Sequence, residues 1–183
     1  HHIRPRRVTV LYGPRRVGKT TLVEHALPNL PAPHMRVTGD NIIVRNLFES
    51  QNLSELLDWA ASYNTIFIDE AQRIPGVGWA LKLLIDARPE LTIIATGSAS
   101  FDLAGKLGEP LTGRQTPLQL FPVSLVELKA LHNDHELRQS FPTMLIYGMY
   151  PEVLTATTQQ DKAFILQELT ASYLLKDILE IEK

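Results

Sequence analysis

The sequence contains no cysteine, which removes disulfides, thiolate metal sites and cysteine nucleophiles together. It has no apolar run near the roughly 20 residues that a membrane-spanning helix needs, and its start, HHIRPRR, lacks the apolar stretch of a signal peptide. The expectation is a soluble, cytoplasmic protein with no membrane partner. Charge of one sign is also missing: 18 Lys and Arg stand against 20 Asp and Glu, a net charge of −2. No global field therefore draws a polyanion, and a nucleic-acid partner would need a local patch. Arg4, Arg6, Arg7, Arg15 and Arg16 form a short basic cluster, which a solvated face explains about as well. His25, His34, His132 and His135 have no spacing suited to zinc. What is present is ordinary globular material: 183 residues, 44% of them hydrophobic, enough to bury a core without staples.

Short β-branched, apolar runs alternate with helical patterns. Val8 to Tyr12 reads as a buried strand that stops at Gly13-Pro14, and a helix follows from about Gly18 to Leu27. Pro28, Pro31 and Pro33 end that helix and lead to a strand at Met35 to Thr38. Helical spacing recurs within Ile42 to Glu49 and Leu53 to Ala61. Strands are expected at Thr65 to Asp69, Leu91 to Thr96 and Gln115 to Phe121. The first two are separated by a helix with Trp79, Ala80, Leu83, Leu84 and Ala87 on one side. This alternation predicts an α/β chain with a parallel sheet covered by helices on both faces. After Pro122 only helices are expected, at Val123 to Asn133, His135 to Tyr147 and Lys162 to about Glu180, with a Gly-Met-Tyr-Pro break before the last. The expected organisation is a core over 1–121 and a small helical lid over 122–183. In the last helix Ile165, Leu166, Leu169 and Tyr173 make one stripe while Leu174, Ile178 and Ile181 drift to another, as if a further C-terminal domain followed.

Residues Gly13-Pro14-Arg15-Arg16-Val17-Gly18-Lys19-Thr20 fit G-x-x-x-x-G-K-[ST] in full, after an expected strand and at the opening of an expected helix. A loop of this length can curl its backbone N–H groups around a β-phosphate, with glycines where a Cβ would obstruct, and aim the helix N-terminus at the anion. Gly13 to Thr21 is thus the candidate nucleotide-binding segment, Pro14 contributing no N–H. Lys19 can reach the β- and γ-phosphates and the Thr20 hydroxyl can ligate Mg²⁺. Arg15 and Arg16 could touch phosphate or an adjacent subunit, or be exposed arginines and no more.

A phosphate-bound Mg²⁺ calls for a carboxylate on a neighbouring strand, and Asp69 stands at a strand end where it can serve. Glu70 follows directly, and adjacent residues there point in different directions, so it can polarise a water for in-line attack. The alternative for the pair is an acidic strand-to-helix turn. At the end of the next strand, Thr96-Gly97-Ser98-Ala99-Ser100 offers a hydroxyl for that water or the γ-phosphate, with Ser98 first and Thr96 second. Ser98 or Ser100 could instead be a helix N-cap. Arg114, in Leu111-Thr112-Gly113-Arg114, has the group best suited to the charge of a transferring phosphoryl, or is a solvated loop arginine.

Taken together, GPRRVGKTTL, IFIDEAQRIP, the Trp79-Ala80-Leu81-Lys82 helix with Asp86, ATGSAS, LTGR, LFPVSLVEL, GMYPEV and YLLKDI resemble the AAA-type P-loop ATPases, specifically a prokaryotic family whose ATPase domain precedes a C-terminal domain of unknown function. The resemblance implies a three-layer P-loop NTPase fold with sheet order 5-1-4-3-2 and a helical lid. It implies that Lys19, Thr20, Asp69 and Glu70 are the nucleotide machinery, Ser98 or Thr96 the sensor, and Arg114 the arginine-finger position, which a second copy in a homo-oligomer could supply in trans. Two departures stand out. Gly148-Met149 replaces the family's paired glycine, and no arginine follows Arg138.

The function expected from these residues is ATP hydrolysis by an activated water, with Mg²⁺ and ATP or ADP as cofactors, coupled to the lid or a C-terminal domain. The alternative is a nucleotide-gated switch with little intrinsic hydrolysis. A metabolite or nucleotide kinase is less favoured, because Glu70 stands where water would sit, and a GTPase less still, because no Asn-Lys-x-Asp motif occurs.

Overall fold

A computed structural model describes residues 3–98 and 110–171. His1–Gly13 with Lys19–Leu120 form one compact unit, and Pro14–Gly18 with Phe121–Lys183 form a second.

The first unit is built on β1 (Val8–Gly13), β2 (His34–Thr38), β3 (Thr65–Asp69), β4 (Thr92–Ser98) and β5 (Gln115–Gln119). All pairings are parallel, in the order β2-β3-β4-β1-β5. This is the expected 5-1-4-3-2 order read from the other edge. The two-residue side-chain period divides the core in two. Val8, Val10, Ile66, Ile68, Ile93 and Ala95 join one cluster, while Leu11, Phe67 and Ile94 join the other. The first cluster also takes Val44 and Phe48 of α2 (Ile42–Ser50), Leu56 of α3 (Leu53–Ala60), and Leu81 and Leu84 of α4 (Val77–Ala87). The second takes Val23 of α1 (Lys19–Ala26). Helices therefore cover both faces, and β4 is buried throughout, as a strand with two strand neighbours and two helical layers must be. The edge strand β5 carries Pro117 opposite Val10.

The buried face of α4 differs from expectation. Val77, Ala80, Leu81, Leu84 and Ile85 are buried, Ala87 is exposed, and Trp79 is 49% exposed. The stripe is centred on Leu81, which turns Trp79 outward to lie under the Lys82 ammonium, 4.7 Å from its ring centroid.

The second unit contains α5 (Leu125–Leu128), α6 (Asp134–Tyr147), α7 (Pro151–Thr155) and α8 (Gln159–Leu169). The expected helix over Val123 to Asn133 is only α5 followed by turns. Ser124 and Glu127 close a capping box at its start, and the Asn133 side chain caps α6 with Glu136 in the same reciprocal arrangement. Pro151 opens α7 after Gly148, whose φ of 75° ends α6. Thr158 caps α8, so this helix begins three residues before the expected Lys162. The drifting stripe of Leu174, Ile178 and Ile181, with Tyr173, lies outside the described residues. No described helix is long and apolar enough to cross a membrane.

Candidate functional site

The strand order decides which polar residues meet. Inserting β4 between β1 and β3 sets the carboxyl ends of three strands side by side, with α1 starting beyond the loop that leaves β1. Gly13 pairs in register with Ser98, and Ile68 with Ala95, which carries Thr96 alongside Asp69. Thr96 Oγ1 accordingly donates a hydrogen bond to Asp69 Oδ1. Thr20 Oγ1 donates to Asp69 Oδ2 over 2.9 Å, and the Glu70 amide to Asp69 Oδ1 over 3.2 Å. Both oxygens of one carboxylate are thus engaged from three elements. Hydrogen bonds to an ionised group are worth about 1.5–3 kcal/mol each, enough to fix the rotamer of Asp69.

Lys19 is only 7% exposed and its ammonium donates to the Gly13 carbonyl over 2.9 Å. A buried cation costs a great deal unless something polar holds it, and here the carbonyl that ends β1 does so. Gly13 has no alternative at its position: a Cβ there would lie 2.2 Å from the Leu120 carbonyl oxygen. These residues fit a magnesium nucleotide. Hard oxygen donors stand together at Thr20 and Asp69, and a buried ammonium stands one residue before Thr20.

Of the loop itself, Val17 is buried and Gly18 adopts a φ of 96°. Arg16 is left-handed at φ 58°, and its guanidinium lies 2.9 Å from Glu168 and 3.5 Å from Glu152. Thr21 follows on α1 and is exposed.

Glu70 is left-handed as well, with φ 51° and ψ 42°. A left-handed non-glycine costs about 1–3 kcal/mol and persists only where the surroundings hold it. Here Gly39 supplies the room, since a Cβ on it would approach the Glu70 carbonyl oxygen to 2.2 Å. The Glu70 carboxylate accepts from Gln72 Nε2 over 2.6 Å, and Arg73 Nε lies 3.7 Å away. Arg73 in turn pairs with Asp40, which follows β2. Gln72, Arg73 and Asp40 were not singled out from sequence. Gln72 and Arg73 directly follow the acidic pair, but the reach to Asp40 spans 33 residues and leaves no local pattern.

Ser98, expected as the first hydroxyl, is 2% exposed and ends β4 opposite Gly13, whereas Thr96 is the one that contacts Asp69. The other N-cap candidate, Ser100, lies outside the described residues. Arg114 closes a turn, its amide donating to the Leu111 carbonyl over 2.8 Å past Gly113 at φ 76°. Its guanidinium pairs with Asp86 of α4 at 2.6 Å. Because Val8 takes the Arg114 carbonyl, Arg114 stands at the amino end of β1. Gly13 is at the carboxyl end, about 17 Å along the strand.

A family model described as an AAA domain matches residues 5–129. No curated protein matches the chain.

Proposed function

Since the chain belongs to the AAA-domain family, whose members are nucleotide-binding and ATPase-like, we propose that it binds ATP with Mg²⁺ in the segment Gly13 to Thr21 and hydrolyses it. The loop amides receive the phosphates, and Lys19 exchanges its Gly13 carbonyl for a β- or γ-phosphate oxygen. Thr20 and Asp69 would hold Mg²⁺, which would supply positive charge to offset that of the phosphate oxygens. Glu70 orients a water and takes its proton as the water attacks the γ-phosphorus, leaving ADP and phosphate. Thr96 or Ser98 donates toward that water or the phosphate. Arg114, a strand length from the loop of its own chain, acts on the phosphate held by a second copy. The nucleotide state is coupled to the helical lid over 122–183 or to a C-terminal domain beyond it.

The observation that carries this reading is the clasp at Asp69, where Thr20 and Thr96 converge on one carboxylate beside a buried Lys19. Titration of Mg·ATP into the native protein and Lys19→Ala, with phosphate release measured for native and Glu70→Gln, tests it. Unaltered ATP affinity in Lys19→Ala overturns it.

A second reading has its own support. The Glu70 carboxylate is occupied by Gln72 and Arg73, and Arg114 is paired within its own chain, the pattern of a nucleotide-gated switch that turns over slowly. Specific activity that rises with protein concentration supports assembly and hydrolysis. Binding with no turnover at any concentration supports the switch.

A further inference from the structure

The sequence has no arginine from Gln139 to Lys183, so the C-terminal helices offer no guanidinium to a phosphate. The second unit makes the reverse connection. Arg16, two residues before Gly18 in the phosphate-loop motif, donates through Nη1 to Glu168 Oε2 of α8 over 2.9 Å, and the same nitrogen lies 3.5 Å from Glu152 Oε2 of α7. One cation from the loop thus meets one carboxylate from each of two helices. The nearby Lys162 ammonium is committed elsewhere, donating to the Val153 and Ala156 carbonyls that end α7, each at 2.6 Å. The loop backbone is itself held out of its easiest conformation at Arg16, whose φ is 58°, a value that arginine keeps only under constraint.

A guanidinium offers the same planar fork of donors to a carboxylate and to a phosphate, and it cannot give up its charge. We propose that Arg16, Glu152 and Glu168 form an electrostatic latch on the phosphate loop, and that a bound nucleoside triphosphate opens it by competing for Arg16. This rests on the reading of the loop as a nucleotide site and adds its regulation. Two consequences follow from linkage: the carboxylates lower nucleotide affinity, and nucleotide loosens α7 and α8. The three side chains are 33%, 49% and 43% exposed, so the coupling is modest and weakens with salt.

The test is a cycle of Mg·ATP affinities on the full chain. Glu152→Gln with Glu168→Gln should bind ATP about threefold to tenfold more tightly than native, with Glu168→Gln alone giving the larger share. In an Arg16→Gln background the same two exchanges should change affinity less than about twofold. An equal gain in both backgrounds would mean that the carboxylates act through their general field, and the latch falls. Hydrogen exchange supplies the second readout: ATP should speed amide exchange in α7 and α8 of the native protein and leave it unchanged in Arg16→Gln. If native binds ATP, Lys19→Ala does not, and the neutralised variant binds no more tightly than native, the latch alone is wrong. If Lys19→Ala binds as native does, the nucleotide reading falls and the latch with it.

Discussion

The two ends of the parallel sheet solve the placing of charge in opposite ways. At the carboxyl ends of β1, β3 and β4, Lys19, Thr96 and Ser98 are 7%, 0% and 2% exposed, and Asp69 is bound on both oxygens. At the amino end, Arg114 and Asp86 face each other at 2.6 Å with 41% and 43% of their side-chain surface open to solvent. The first arrangement is preorganised and costly to break, because removing one member strands a buried partner. The second is cheap to exchange for an external partner, since an exposed ion pair contributes only about 0.2–1 kcal/mol. The buried cluster holds its members in place, whereas the open pair can part without stranding either member.

The largest effect that would sharpen this contrast is expected from Glu70→Gln. Loss of a general base costs about 10²–10⁴ in rate, so phosphate release should fall by that factor while Mg·ATP affinity stays within about threefold. Next, Phe67→Ala removes a fully buried ring from the smaller of the two core clusters. A cost of about 3–5 kcal/mol is expected in a denaturant titration, with the slope unchanged. Lys19→Ala should weaken Mg·ATP by at least about tenfold in the same titration that tests the function. Asp86→Asn, at the open end, should leave ATP affinity within about twofold and the melting temperature nearly unmoved. A loss there comparable to that of Lys19→Ala would erase the distinction between the ends. The smallest effect concerns Glu127, whose carboxyl the Ser124 amide and hydroxyl hold below its ordinary value. With the folded-state value depressed, its stabilising contribution is present above the usual carboxylate range of about 4.3. It is lost as pH falls through the lowered value. Ser124→Ala should reduce that acid-side slope, read by thermal melts between neutral and acidic pH.

Much of the first unit was legible because a buried parallel strand writes itself as a short apolar run. VTVLY, TIFID and LTIIAT each sit within a residue or two of β1, β3 and β4. The lateral order was not written in those runs; it followed from the resemblance, since spacing along a chain carries no information about which strand lies beside which. Which of Thr96 and Ser98 lies beside Asp69 depends on register. The two are one repeat apart on the same side of β4, and only the pairing of Ile68 with Ala95 brings Thr96 next to Asp69. In the second unit the start signals Ser124-x-x-Glu127 and Asn133-x-x-Glu136 would have placed α5 and α6 to the residue, but apolar periodicity alone blurred them. The partners of Arg16 and of Glu70 arise from contacts distant in sequence, 152 residues in the case of Glu168, which no window could reveal.

Pro117 also bears on how copies of this chain can meet. An imide nitrogen in an outermost strand cannot donate, so the ladder that β5 would present to an incoming strand is interrupted near its middle. Strand-on-strand growth through that margin is therefore disfavoured by backbone chemistry alone, whereas β2, the opposite edge of the sheet, carries no such interruption.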